Sequence, residues 1–241
     1  MSCCRNILLA LTGTVALAVL AGCATVKGTR DGAVHLLDGK DLNGFYTFME
    51  GVNGDPDGVF TMTNGWLRIS GQHTGYLATK REYAEYRLVA EFKWGNETWT
   101  PRQFKARESG ILVRKASGDR IWPTGIECEV VEGGTGSIAV MGGAHLTMYE
   151  SGKKLKAQRF ERPGRNPWRD ELGFRGPQEI EKAQGEWNTV EIVCTRGSVS
   201  VTVNGHKTLE GTEAKPAKGK ILLLSEGAEI FFRRLDLYPI R

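Results

Sequence analysis

From Tyr86 to Trp94 apolar and polar positions alternate. Tyr86, Leu88, Ala90, Phe92 and Trp94 share one face of an extended strand, and Arg87, Glu91 and Lys93 share the other. Val199, Val201 and Val203 alternate with Ser200 and Thr202 in the same half-buried manner. Val59 to Thr63 and Trp66 to Ser70 read as a hairpin, because Asn64-Gly65 between them supplies the backbone that a two-residue connection needs. Further strands are expected at Tyr76–Thr79, Ser109–Arg114, Gly125–Glu132, Ser137–Met141, Trp187–Cys194, Gly219–Leu224 and Glu229–Tyr238. Asp55-Pro56-Asp57-Gly58 is a turn, and Asn204-Gly205 is another. No segment carries an apolar stripe of helical period, and no internal repeat is visible. About a dozen short strands joined by Gly-rich turns predict an all-β fold, a sandwich or jelly roll.

Two stretches break the pattern. Lys153 to Lys182 loses all periodicity and holds nine basic against five acidic side chains. A segment that long in a compact domain is either a lid or site loop, or disordered. The second is Gly125-Ile126-Glu127-Cys128-Glu129-Val130-Val131-Glu132. As a strand it projects Glu127 and Glu129 from one face, while Ile126, Cys128 and Val130 fill the other. Two acids on the inner surface of a sheet repel each other and lose hydration, which raises at least one pKa. A neutral carboxyl beside an ionised one is what acid/base chemistry at a sugar requires. A solvated face with the acids paired to Lys or Arg is the plain alternative.

The chain of 241 residues suits one all-β domain behind a leader, with 40% hydrophobic and 25% charged residues. A net charge of +4 gives no reason to expect a nucleic-acid partner. Arg5, the apolar run Ile7–Leu20 and then Leu20-Ala21-Gly22-Cys23 form an export signal that resembles the bacterial lipobox. That resemblance implies residues 1–22 as a lipoprotein signal peptide, Cys23 as the lipidated residue and residues 23–33 as a tether. The domain then occupies 34–241. An ordinary signal peptide or anchor is the other reading. A lipid at Cys23 implies a cell-envelope protein held at a membrane, facing the periplasm or the outer membrane. Cys3 and Cys4 fall in the leader. Cys128 and Cys194 are left to form either one disulfide or two buried thiols.

Six motifs in order resemble one family. They are Leu36-Leu37-Asp38-Gly39-Lys40-Asp41-Leu42, Gly75-Tyr76-Leu77-Ala78-Thr79-Lys80, Tyr83-Ala84-Glu85-Tyr86-Arg87-Leu88, Ser109-Gly110-Ile111, Gly125-Ile126-Glu127 and Gly185-Glu186-Trp187-Asn188-Thr189. The family is the 3-keto-disaccharide hydrolase domain family. The resemblance implies a concanavalin A-like β-sandwich of two curved antiparallel sheets with the ligand cleft on the concave face. It also implies exported bacterial proteins acting on oxidised glycosides. Glu127 matches the acid of the family's Gly-x-Glu motif, whereas Glu129 stands where many relatives carry Gln. Glu127-x-Glu129-x-x-Glu132 is similar, too, to the E-x-D-x-x-E strand of laminarinase-type glucanases, which share the sandwich.

A ketone at C3 of a sugar acidifies the C2 proton, so a base at C2, a cation at the enolate oxygen and an acid at the leaving oxygen would cleave the C1 substituent. Glu127 is the expected base, and Arg114 the expected cation unless it merely pairs with the acids. Glu129 and His145 are candidates for the acid. Trp122 is the expected stacking platform among the loop residues Trp99, Trp122 and Trp168, while Trp66, Trp94 and Trp187 read as core. His73, Lys80 and Glu132 are further substrate-binding candidates, Lys80 either at sugar hydroxyls or paired with an acid. Glu and His together could hold a divalent cation, though no spacing demands one. A lectin-like module without turnover and a glucanase with Glu132 beside Glu127 are the alternatives to the 3-keto-glycoside reaction.

Overall fold

The structure is a computed structural model of the chain and describes residues 32–155 and 157–240. The leader, the candidate lipid site Cys23 and the tether up to residue 31 lie outside the described residues. The described residues form strands and turns and no helix.

The strands are β1 (Val34–His35), β2 (Phe45–Met49), β3 (Phe60–Thr63), β4 (Trp66–Ile69), β5 (Gly75–Thr79), β6 (Tyr86–Thr98), β7 (Glu108–Lys115), β8 (Gly125–Val131) and β9 (Ile138–Met141). They continue as β10 (His145–Glu150), β11 (Lys153–Leu155), β12 (Arg159–Phe160), β13 (Asn188–Cys194), β14 (Ser198–Val203), β15 (His206–Lys215), β16 (Lys220–Ser225) and β17 (Ala228–Tyr238). A ten-stranded antiparallel sheet runs β11-β10-β15-β14-β13-β6-β17-β4-β3, with β1 also on β17. A seven-stranded sheet runs β12-β9-β8-β7-β16-β5-β2. The core lies between them. Leu88, Ala90, Phe92 and Trp94 of β6 meet Ile126, Cys128 and Val130 of β8 and Ile111 and Val113 of β7 in one apolar cluster. The all-β two-sheet sandwich expected from the alternation is therefore the fold.

Both Asn-Gly pairs close hairpins, β3–β4 and β14–β15. Asn64 and Gly65 take φ of 53° and 81°, and Asn204 and Gly205 take 48° and 83°. Cys128 and Cys194 are buried free thiols.

Two expectations change. Strands β10, β11, β12 and β15 carry no clear alternation in sequence. In β15 only Thr208, Gly211 and Ala214 are buried, small residues spaced by three, because the ladder to β14 shifts register between Val201 and Thr202 and the ladder to β10 shifts between His145 and Thr147, where Glu213 takes φ of 53°. Trp66 and Trp187 are not core. They meet edge to face at 5.1 Å, with the Lys93 amine over both rings, among the surface positions of β6 rather than its core positions. Of the aperiodic stretch, Lys153–Leu155 and Arg159–Phe160 are strands, and residues 161–187 form a loop tied to both sheets, as the site-loop alternative has it.

That tie runs through Glu181, which is buried. The Trp94 indole N–H reaches its Oε1 at 2.6 Å and Thr135 Oγ1 lies 2.6 Å from its Oε2. Asn204 Nδ2 donates to the Ile180 carbonyl beside it at 2.8 Å. Burial pushes the Glu181 carboxyl up to about 8, with Thr135 and Trp94 opposing that shift. A protonated Glu181 can donate to Thr135, whose own hydroxyl is then free for the Val131 carbonyl at 3.1 Å. The native state holds this proton where the unfolded chain has released it. Stability is full below the ordinary carboxylate range and falls as pH rises toward about 8. Glu181→Gln is expected to flatten the decline in Tm over that interval. Thermal melts followed by circular dichroism check this, and an unchanged slope contradicts it.

Candidate active site

β8 sits between β7 and β9, with Leu112 and Ala139 opposite Glu127 and Gly110 opposite Glu129. Alternation sends Ile126, Cys128 and Val130 into the core and both acids to the other face of the sheet. The Glu127 carboxyl lies over Gly110. A Cβ built there would come within 2.1 Å of Glu127 Oε1, so glycine opens the space that the acid fills. Yet Glu127 is only 6% exposed and Glu129 7%.

Four carboxyls converge. Burial raises the Glu127 pKa well above the usual range, and the charges of Glu226, Glu129 and Glu108 raise it further. Among the described residues Glu127 makes no ion pair or hydrogen bond, and the charge of Arg159, which pairs with Glu129, is the one opposing influence. Glu226, in the turn between β16 and β17, is pushed up to about 8 by burial and by Glu108 and Glu129, and its Oε2 is shut off from solvent without a partner. Glu129 differs. Burial raises it, but Arg159 donates to its Oε2 at 2.9 Å and Arg165 also opposes the shift. The arrangement therefore sets a neutral carboxyl beside one that a guanidinium favours as an anion.

The cations come from the loop. Arg159 is in β12, and Arg165 follows in the segment that Glu181 anchors. Arg165 is buried, pairs with Glu161 at 3.0 Å and stacks its guanidinium 4.3 Å over the Trp168 ring. Its Nε is buried and unpartnered. Trp168 is fixed in turn by its indole N–H on the Glu132 carbonyl at 2.8 Å. Arg102 closes the far side, 3.0 Å from Glu108 and 2.9 Å from Asp170.

Arg114 is not with the acids. Lys115 pairs with Lys220 and Leu112 with Leu222, so two residues of β7, Val113 and Arg114, oppose one of β16. Arg114 takes φ of 61° at this bulge, and the alternation slips by one. Its guanidinium turns to the carbonyls of Ala214 and Pro216, both at 3.0 Å, and of Thr195. Glu132 is also elsewhere, held by Arg107 Nη1 at 2.6 Å and by the Arg107 and Gly173 amides at 2.9 Å. The glucanase alternative, which needs Glu132 beside Glu127, loses its second acid. His145 begins β10 in the other sheet, 3.2 Å from Thr147 Oγ1, and lines a hollow of about 570 Å³ that contains neither acid. The His73 carbonyl accepts from Ser225, next to Glu226, but its ring is paired with Asp57 at 2.8 Å. Lys80 donates to the Asn43 carbonyl at 2.9 Å. Trp122 is 51% exposed in the β7–β8 loop. No group of three or more His, Cys, Asp or Glu among the described residues is placed to hold a metal ion.

Sequence reasoning placed Glu127 and Glu129 on a shared face but missed Glu226, Glu108, Arg159 and Arg165. The charged, aperiodic stretch pointed to a site loop without singling out its arginines.

Comparison with solved structures shows the same fold in sugar-related proteins. A candidate glycosyl hydrolase from Parabacteroides distasonis superposes with a TM-score of 0.57 at 17% identity, over 88% of this chain and 95% of that one. A β-glucanase from Bacillus licheniformis does so with 0.52 at 13% identity, over 86% and 97%. Carbohydrate-binding module CBM66 from Bacillus subtilis gives 0.50 at 10% identity, over 80% and 94%. No curated protein matches the sequence. The family model described as the 3-keto-alpha-glucoside-1,2-lyase-like domain matches residues 32–237.

The placement of Arg114 is open to direct test. Arg114→Met leaves the buried Ala214 carbonyl and the half-buried Pro216 and Thr195 carbonyls without their charged donor, and it is expected to lower the unfolding free energy by about 3 kcal/mol. Urea denaturation measures it. An unchanged midpoint contradicts a structural Arg114.

Proposed function

Since the chain belongs to the 3-keto-alpha-glucoside-1,2-lyase-like domain family, we propose that it cleaves 3-keto-glycosides by elimination at C1 and C2, and that Glu127 and Glu129 carry the two proton transfers. The supporting observation is the contrast between the two acids: Glu127 is buried without a counter-ion, and Glu129 is held by Arg159.

The charge states favour a division of roles opposite to the one the sequence invites. Glu129, whose pKa burial raises but whose anion Arg159 and Arg165 favour, takes the C2 proton, which the C3 ketone acidifies. The electron pair moves into the C2–C3 bond and charge collects on the ketone oxygen. Arg165, with its unpartnered Nε, takes the place intended for Arg114 and meets that oxygen. The enolate then re-forms the ketone and expels the C1 substituent. Glu127, whose proton burial and the neighbouring carboxylates favour, delivers it to the departing oxygen. The products are an alcohol or second sugar and an unsaturated 2-hydroxy-3-keto sugar. Water adding to C1 completes a net hydrolysis, and Glu129 returns its proton to C2 and Glu127 regains one.

A carbohydrate-binding module without turnover would use the same sandwich, but it has no need of a neutral and an ionised acid side by side. The proposal includes the setting: a lipid at Cys23 would hold the domain at a bacterial envelope membrane, where oxidised glycosides pass. Metabolic labelling with a fatty acid, abolished by Cys23→Ser, tests that part.

For the chemistry, the protein is expected to release the second sugar from a 3-keto-disaccharide and leave the native disaccharide intact, as read by mass spectrometry. Glu127→Gln and Glu129→Gln are each expected to lower kcat by at least about a hundredfold. The rate should fall as pH rises through the raised pKa of Glu127, where the acid is lost. It should also fall at low pH, where Glu129 gains a proton. Full activity of Glu127→Gln would remove that residue from the mechanism.

A further inference from the structure

Of the three loop tryptophans, Trp168 is the one whose ring stacks on a cation of the site. The Arg165 guanidinium lies 4.3 Å from the ring centre, within the range where the ring face attracts a positive charge. Trp99 instead directs its indole N–H to the Ser70 carbonyl at 3.0 Å, and Trp122 is half exposed. Backbone crowds the same guanidinium. A Cβ built at Gly134 would come within 2.8 Å of Arg165 Nε and 3.3 Å of its Cζ, so glycine there lets the charge lie close against the chain. Arg165 Nη1 pairs with Glu161 at 3.0 Å, and the side chain is 2% exposed.

The ring itself is latched. Its N–H donates to the Glu132 carbonyl at 2.8 Å, while the Glu132 carboxylate accepts from the Gly173 amide at 2.9 Å and from Arg107 Nη1 at 2.6 Å. Between those two points Arg102 donates to Asp170 at 2.9 Å, and the Leu172 amide donates to the Phe104 carbonyl at 3.2 Å. Residues 168–173 form no strand, yet both ends and two positions between them are fixed to the end of β8 and to the β6–β7 loop. The third acid of the Glu127-x-Glu129-x-x-Glu132 run thus seats a tryptophan.

Arg165 matters because of what surrounds Glu129. Facing that carboxyl are Glu127 on the same strand, Glu108 on β7, Glu226 in the β16–β17 turn, Arg159 on β12 and Arg165 in the loop. Arg159 donates to it at 2.9 Å but is half exposed, so solvent screens its charge. Arg165 is buried, and its charge acts through a less polar medium. Displacing Arg165 leaves three carboxyls against one screened cation.

We infer that Trp168, latched by Glu132, is a positioning residue for the reaction: its ring holds the Arg165 guanidinium beside Glu129 and the developing enolate. Trp168 does not touch the reacting atoms. The inference rests on the proposed elimination for the step that Arg165 serves. The hold of Trp168 on Arg165, and through it on Glu129, stands on the contacts themselves.

The test is a double-mutant cycle on Trp168 and Arg165, read in two ways. Steady-state kinetics on a 3-keto-disaccharide gives kcat, KM and the acid limb of the pH profile. Infrared difference spectra against Glu129→Gln follow the Glu129 carboxyl with no substrate present. Trp168→Leu is expected to lower kcat about tenfold with KM within about twofold. Arg165 holds the Glu129 pKa down against burial, so its displacement moves the acid limb and the infrared titration of Glu129 to higher pH. Trp168→Phe keeps a ring face and is expected to recover most of both. In an Arg165→Met background Trp168→Leu is expected to add no further shift. Gly134→Ala crowds the guanidinium from the backbone and is expected to move the Glu129 titration the same way, which keeps the test decisive if Trp168→Leu does not fold. An unmoved Glu129 titration overturns the inference, as does an equal shift in the Arg165→Met background, where Trp168 would act by another route. If nothing is turned over but the infrared cycle runs as stated, the elimination falls and the hold on Glu129 stands. If turnover occurs and the titration does not move, the elimination stands and the positioning role falls.

Discussion

A carboxyl with no counter-ion, folded over a glycine on the coreless face of a sheet, governs the rest of this structure. Desolvating Glu127 without a partner is costly for the ionised form, and the molecule meets that cost by favouring the proton. The neighbouring features follow from it. Gly110 must lack a side chain for the carboxyl to lie where it does. Glu226 and Glu108 deepen the repulsion, Arg159 opposes it while pairing with Glu129, and Arg102, between β6 and β7, pairs with Glu108.

The segment that supplies Arg159 and Arg165 is held by buried polar contacts as well as by Phe160 and Ile180 packing on the core. Glu181 joins Trp94 of one sheet to Thr135 beside the other, and Arg162 donates to the Gly133 carbonyl at 3.2 Å. Without regular structure of its own, the segment from β12 to β13 takes its position from such anchors. Arg165 takes its place in that segment, while Arg159 is set by the ladder of β12 on β9. This couples the electrostatics of the site to a proton stored some distance away.

Much of this was legible in the sequence. Period-two alternation in β6, β8 and β14 and the two Asn-Gly turns gave the sandwich, because half-buried strands must alternate and tight hairpins need left-handed backbone. The same rule put Glu127 and Glu129 on one face. It failed at Arg114, because a bulge shifts parity by one residue and leaves no mark in an otherwise regular strand. It failed at Trp66 and Trp187, where the large aromatics cover a charged outer face, and at β15, where the buried residues are small. Glu226 and Arg165 reach the site through a turn and a loop, and Arg159 through the two-residue strand β12, whose placements are set by tertiary contacts that no local pattern encodes. Glu132, though in the acidic run, falls past the end of β8 and meets Arg107 instead.

The central claim is that Glu127 keeps its proton at neutral pH. Infrared difference spectra of the wild-type protein against Glu127→Gln, recorded as pH is raised, observe it directly. The account predicts a protonated carboxyl stretch at pH 7 that the variant lacks and that fades only under alkaline conditions. Carboxylate bands alone at pH 7, with the proton lost in the ordinary glutamate range, would contradict it.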